Sequence, residues 1–461
     1  MLVLLSLLAC SGTATIDSAN PSTAPAPVPW SGQLADLATD AGPIRQWLPY
    51  RAIMHLHSPW SHDACDGEPL VDGVPDPSCL ADLRQALCDV HIDVAYLTDH
   101  PAHAADQHFE DLFHAQPQDE RIRASEHLIA TRLPCTDGHK VMWRAGIEDE
   151  LMPLGLQAHS APGDLAASDA LYQQATPESI SAHASAGAFV TIAHTEGKTA
   201  ETIDALVAAG LDGMELFNLH AMFDPRKRSE DLGLDPMGWM SDIAPFTSQT
   251  GTGEPDLFFL AVLQEQAPSI ARWDAAQRIA NVVGFAGTDA HQNVLPINLR
   301  DGERGDSYRR MIRWFSNHLL IDGDVELPSP KDADQALAAG RLYTAFEILG
   351  TPAGLDFHLL GTDGSITEMG GTGAGHTLVV ACPSLSPASP KNSTPPEVTA
   401  TILKDGEVFA EGCGEHTVSA QGSYRLRVDM VPLHLRDFLG ESPDEWLNSY
   451  PWVYTNPIRI Q

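Results

Sequence analysis

The chain has 461 residues, 43% of them apolar, enough for a sizeable core in two or three domains. Acidic residues outnumber basic ones 62 to 27, for a formal net charge of −35. A field of that sign repels phosphate backbones and anionic lipid, which excludes nucleic acid as a first choice of partner and favours bound cations.

The apolar run Met1 to Cys10 is too short to span a bilayer and reads as an export signal. Leu7-Leu8-Ala9-Cys10 followed by Ser11-Gly12 resembles a bacterial lipobox, although the usual basic segment is missing. A plain secretory peptide is the alternative. We therefore expect a signal over 1–20 and a Pro/Ser/Ala-rich tether over 21–47, with too little apolar content to fold. The location implied is a bacterial envelope, in the periplasm or at the outer membrane, with membrane contact only through a lipid on Cys10. Six Cys follow Cys10, and an even count in an exported chain suggests disulfides. Six Cys allow about 15 connectivities. The expected pairs are Cys65–Cys79, Cys88–Cys135 and Cys382–Cys413, the last because those two stand alone in the C-terminal region.

From 48 to 350, strand-like runs alternate with helical patterns, which implies parallel strands joined by crossovers. Leu80 to Asp89 has helical spacing and feeds Val94-Ala95-Tyr96-Leu97. Thr176-Pro177-Glu178 opens a helix with a capping residue and Pro in its first turn. Thr199 to Ala209 is a further helix, stopped by Gly210. Residues 221–280 carry Pro, Trp and Gly irregularly and read as an insertion over one end of the domain. After Gly350 come short alternating strands with a hairpin turn at Lys404-Asp405-Gly406-Glu407, expected to form a β-sandwich over 351–461.

Five of the apolar runs deliver an imidazole or carboxylate at their C-terminal ends. They yield His55 and His57, then Asp99 and His100, then Glu148, His194, and finally Asp289 and His291. Parallel strands that end in such residues build a metal site at one face of a barrel. His with carboxylate and no Cys suits Zn, Mn or Fe.

The ordered set resembles the PHP (polymerase and histidinol phosphatase) family. The carrying motifs are His55-Leu56-His57-Ser58 with Ser61-His62-Asp63, Thr98-Asp99-His100, Gly146-Ile147-Glu148, Ile192-Ala193-His194 and Gly287-Thr288-Asp289-Ala290-His291. The C-terminal Gly422 to Val428 and Pro451 to Ile458 look like a subgroup of these hydrolases that carries a β-domain and includes carbaryl-hydrolase-like enzymes. The resemblance implies an α/β fold, a distorted (β/α)7 TIM-like barrel, with two or three divalent ions per chain. It assigns His55, His57, Glu148 and Asp289 to a first ion. Glu148 would bridge to a second, with His194 and one further His. His159 is the expected one, and His183 the alternative. A third ion would take His100, His291 and either Asp63 or His62, with Asp63 favoured. Asp289, His291 and His100 are expected to be catalytic, and Asp99 to orient His100 or a neighbour. Glu215 and Asn218 are either structural or part of the site. His103 and His220 lie in loops beside strand ends.

The expected activity is hydrolysis of a small-molecule phosphoester by water activated on the ions. A carboxylic ester or amide is the alternative bond. A non-catalytic, surface-anchored binding protein is the alternative class.

Overall fold

The computed structural model describes residues 34–389 and 393–461. The expected export signal, Cys10 and the first part of the expected tether lie outside the described residues.

The protein is a mixed α/β fold on one large mixed sheet, with a strand-rich C-terminal region. Its central strands are β1 (Trp47–Ile53), β2 (Val94–Leu97), β3 (Lys140–Gly146), β4 (Met152–Leu156), β5 (Phe189–Ile192), β6 (Gly213–Asn218) and β7 (Val283–Gly287). β2, β4, β6 and β7 are buried at every position, which is why they read as unbroken apolar runs rather than alternating ones. β1 is parallel to β2, β2 to β3, β5 to β6 and β6 to β7. β4 pairs antiparallel with both β3 and β5, so β5 runs in the direction of β3. All six parallel strands therefore end on the same side.

β8 (Ser316–Asp322) runs antiparallel along β1, and β9 (Leu342–Ala345) antiparallel along β8. Pairing does not run on from β7 to close a circle. β7 meets β1 beyond the strand ends, through the parallel bridge Leu56–Ala290 and the Asp289 amide on the His55 carbonyl at 2.9 Å. Lower down, the Asn317 side chain on β8 takes the Ala286 amide at 2.9 Å and gives to its carbonyl at 2.8 Å. A side chain thus stands where a neighbouring backbone would be, and no closed barrel of strand pairing forms among the described residues.

Crossovers are short and well capped. Asp76 caps α1 (Pro77–Asp89), accepting from the Ser78 and Cys79 amides. Thr176 caps α2 (Pro177–Ser185) and Thr199 caps α3 (Ala200–Ala208), as their sequences suggest. Ile203 and Leu206 of α3 and Trp273 of α4 (Ala267–Ala276) pack on Ile192, Met214 and Leu216 of the sheet. Each such side chain contributes about 1.5–3 kcal/mol on full burial. The other side of the sheet encloses Met54, Tyr96, Met142, Met152, Phe285 and Leu319.

Residues 34–47 correct the expected tether. Ala35 and Ala38 are buried, and the carbonyls of Ala35 and Asp36 accept from the Arg51 guanidinium at 2.7 and 2.8 Å. Arg51 is wholly buried and also grips Glu347, so it recruits this segment to satisfy its donors. In the C-terminal region, β10 (Asp356–Leu360), β11 (Thr377–Ala381) and a strand at Gly414–Thr417 form part of a four-stranded antiparallel sheet. β12 (Glu397–Lys404), β13 (Gly422–Val431) and β14 (Tyr450–Thr455) instead extend the large sheet, because β14 pairs with β9. Asp405 and Gly406 both take positive φ at the expected hairpin turn. The three expected disulfides, Cys65–Cys79, Cys88–Cys135 and Cys382–Cys413, are present. No helix among the described residues is long and apolar enough to cross a membrane.

Candidate metal centre

All but one of the predicted ligands gather where the parallel strands end. His55 and His57 follow β1, His100 follows β2, Glu148 follows β3, His194 follows β5, and Asp289 and His291 follow β7. Asp63 joins them from the turn after β1. The potential ligand atoms fall into three overlapping sets, each within 4.8 Å: His55, His57 and Glu148; His55, His194 and Asp289; and His57, Asp63, His100 and His291.

The innermost atoms decide the chemistry. Nδ1 of His55 lies 2.8 Å from Glu215 Oε1, and Nδ1 of His57 lies 3.0 Å from Ser61 Oγ. The Ser61 hydroxyl itself donates to Asp63 Oδ1, so Ser61 accepts from His57. Both imidazoles therefore carry a proton on Nδ1 when neutral, and both point a bare Nε2 inward. Those two Nε2 atoms are 3.1 Å apart, and they lie 3.2 and 3.1 Å from Asp289 Oδ1. Three acceptors at such distances repel unless a proton or a metal ion sits among them, and without metal Asp289 and Glu215 raise His55 against burial so that it can hold that proton. Ligands about 2.1 Å from one ion are roughly 3.0–3.4 Å apart in octahedral or tetrahedral geometry, so the spacing fits one divalent ion.

The surrounding atoms fit as well. Glu148 Oε1 and Asp289 Oδ2 lie 3.6 and 3.5 Å from His194 Nε2. Asp63 Oδ2 lies 3.3 Å from His291 Nε2 and 3.6 Å from His100 Nε2. His291 Nε2 and Glu148 Oε2 are buried without a hydrogen-bond partner. The Glu148 oxygen does lie 2.8 Å from His100 Nδ1. That nitrogen is better aligned with the Glu148 backbone carbonyl at 2.9 Å, so the carboxylate oxygen counts as open. Protons stand in for cations in this field. Burial disfavours the His100 imidazolium, but Asp63 and Glu148 outweigh it and push His100 up to about 12. Burial likewise opposes charge on His194, yet Glu196, Asp289 and Glu148 raise it to about 9. Glu148 is held down to about 2 against burial by His100, His194 and His55. Divalent ions would displace those protons.

Local backbone shapes the cage. His194 and Asp289 sit at φ +51° and +48°, in the left-handed region that non-glycine residues occupy at some cost. Gly287 admits the Glu215 carboxylate: a Cβ there would lie 1.7 Å from Glu215 Oε1. Asp99 pins the turn after His57, taking the Ser58 amide at 2.5 Å and its hydroxyl at 2.7 Å. His55 and His57 are fully buried, while the side chains of Asp63, His100 and His194 are 34, 23 and 25% exposed, so the cage opens along that side.

His159 is not brought in. Its Nδ1 meets the Tyr172 hydroxyl at 3.1 Å and its Nε2 the Gln107 carbonyl at 2.9 Å, so both ring nitrogens are taken by packing. His183 is likewise apart, bound to Ser160 Oγ at 2.7 Å and stacked on Tyr172. His62 is exposed beside His100, and Asp63 takes the inward position. His220 belongs to none of the three ligand sets, although its ring lies edge-on to that of His291 with centroids 5.8 Å apart. Sequence reasoning missed Glu196 altogether, and left Glu215 undecided. A carboxylate inside the buried run Met214-Glu215-Leu216 is the signal that marks Glu215. A fourth acidic group, Asp256, Asp301 and Glu303, is neutralised by Arg309 and Arg310.

Comparison with family models, curated proteins and solved structures returns no match for this chain.

Proposed function

We propose that this chain is a metal-dependent hydrolase of the PHP type, acting as a phosphoesterase on a small molecule. The observation that carries the reading is the convergence of His55 Nε2, His57 Nε2 and Asp289 Oδ1 at 3.1–3.2 Å with their protons held elsewhere. On this reading the six parallel strands are a (β/α)7-type barrel opened at β7, and the ligands occupy its C-terminal end. Zn, Mn or Fe ions, two or three per chain, supply Lewis acidity and a water that ionises near neutral pH. The chain's residues do the rest. Glu215 and Ser61 fix the tautomers of His55 and His57. Asp289 presents Oδ1 to His55 and His57 and Oδ2 to His194, and Glu148 lies between His100 and His194. Substrate enters on the side of Asp63, His100 and His194. With ions in the other two sets only, His100 and His291 would keep their protons and be placed there to pass one to the leaving oxygen.

A second reading, a carboxylic ester or amide substrate, draws on charge. Lys198 and Arg304, which follow ligand segments in the chain, and Lys227, which reaches Glu196 beside His194, are each paired with carboxylates rather than free to meet a phosphate dianion. Export to an oxidising compartment, with a lipid on Cys10, remains part of the proposal, and the three disulfides suit it.

The test is elemental analysis of the purified chain with turnover of p-nitrophenyl phosphate, bis-p-nitrophenyl phosphate and p-nitrophenyl acetate. Two or three ions with phosphoester turnover support the first reading. Acetate turnover alone moves it to the second. Metal without any turnover favours a binding protein. Asp289→Ala and His57→Ala should each abolish turnover with the fold kept, and full activity in either sinks the proposal.

A further inference from the structure

His194 has one ring nitrogen in the cage and one behind it. Nδ1, the rear nitrogen, is buried without a hydrogen-bond partner and lies 3.4 Å from Glu196 Oε1. Glu196 is 1% exposed, and neither of its carboxylate oxygens is hydrogen-bonded. Lys227 Nζ stands 3.5 Å from the same Oε1. The turn that carries Glu196 is firmly built. Thr195 Oγ1 donates to the Glu215 carbonyl at 2.5 Å, and Arg272 of α4 donates to the Thr195 and Glu196 carbonyls at 3.0 and 3.1 Å. Gly197 lets the Lys227 segment approach: a Cβ there would lie 3.0 Å from Asp231 Oδ2 and 3.2 Å from Lys227 Nζ.

A buried carboxylate without a donor and a buried imidazole nitrogen without a partner are each costly. Here they face one another slightly beyond good hydrogen-bond distance. We infer that Glu196 is a positioning residue for His194, held in place by Lys227. When the cage is loaded, His194 Nδ1–H donates to Glu196 and Nε2 is aimed between Glu148 and Asp289. The segment between β6 and β7 thereby sets the affinity of the ion on the open side, while the ion held by His55 and His57 depends on Glu215 instead. This inference rests on the metal-hydrolase reading.

The experiment is equilibrium dialysis of the full chain against cobalt(II) chloride, with cobalt content and visible absorption read together. Wild type should bind two or three ions. Glu196→Ala should weaken one of them roughly 10- to 100-fold, the effect usual for carboxylates behind a metal-bound imidazole, and leave the others. Glu196→Gln, which keeps an acceptor but not the charge, should lose less. Lys227→Met should weaken the same ion, and Lys227→Arg should restore it. Thermal melting of each ion-free variant reports on folding. If Glu196→Ala does not fold, Glu196→Gln and Lys227→Met carry the test. Unchanged cobalt affinity in the folded variants overturns the inference alone, as does equal weakening of every ion. A wild-type chain that binds no cobalt overturns the metal-hydrolase reading and the inference with it.

Discussion

Replacing Glu215 by Gln should disable His55 as a metal ligand by acting on its rear nitrogen, with every ligand side chain left in place. Glu215 Oε1 accepts from His55 Nδ1 at 2.8 Å. Oε2 accepts from the His194 amide at 2.8 Å and from Asn218 Nδ2 at 3.0 Å. A Gln has one oxygen and one NH2. Two donors already meet Oε2, so the oxygen goes there and the NH2 faces His55. His55 then accepts at Nδ1 and carries its proton on Nε2, the atom that faces His57 and Asp289. Recovering a bare Nε2 would set two N–H groups against each other. Two buried donors left unsatisfied cost about 1–3 kcal/mol each, or about 2–6 kcal/mol together. At about 1.4 kcal/mol per decade, affinity for the inner ion falls roughly 30-fold to more than 10,000-fold. The ion-free protein keeps every hydrogen bond, so its melting temperature should hardly move. Competition for Zn or Mn against a chelator, beside thermal unfolding without metal, measures both. Wild-type metal affinity, or a large loss of ion-free stability, would refute the tautomer argument.

Gly287→Ala should be harsher, because the new methyl falls 1.7 Å from Glu215 Oε1 and 2.9 Å from His55 Cβ. Overpacking of about 1–3 kcal/mol should appear in urea unfolding, together with lost metal content. Glu347→Gln leaves the buried Arg51 guanidinium without its counter-charge and should cost about 3–5 kcal/mol by the same assay. Acid should act against three buried imidazoles. Burial holds His114 down to about 3, and His183 and His434 down to about 4, all below the unfolded value of about 6.5. Between those values the unfolded chain binds more protons, so stability is full above about 6.5 and falls as pH drops through the window. At pH 5 each of the three removes about 2 kcal/mol. His100, His194 and Glu254 are raised and work in the opposite direction, so the check is made on one imidazole: the urea midpoint of His434→Gln should fall less than that of the wild type between pH 7.5 and pH 5, and an equal fall would contradict this.

The ligand set was legible because most of its members follow short, largely buried strands, and such strands are mostly apolar. Val94-Ala95-Tyr96-Leu97 before Asp99 and His100 is the clearest case. Strand direction was not legible. Met152-Pro153-Leu154-Gly155-Leu156 is as apolar as its neighbours, yet it pairs antiparallel on both sides. Nor does composition tell that Asn317 interrupts the β7 neighbourhood, since an Asn in a strand says nothing of which backbone it meets. Between Glu148 and His194 the chain offers two His, and only packing against Tyr172, Gln107 and Ser160 reveals that neither reaches the cage. Residues 34–47 look polar enough to stay extended, but a buried Arg51 needs their carbonyls.

The pairing of β9 with β14 bears on how the protein can be made. Tyr343 lies opposite Thr455, and Ala345 opposite Val453. A chain stopped near residue 350 would keep every ligand and yet bare the outer backbone row of β9. Unpaired strands of that kind recruit other chains and seed aggregation. The nascent protein passes through the same exposure during synthesis, because β9 waits about a hundred residues for its cover. β1 waits longer still for β8, from Trp47 to Asp322. Non-local closures of this length slow folding. Holding factors that shield open strands should therefore raise the yield of soluble protein more than any change at the ligands does.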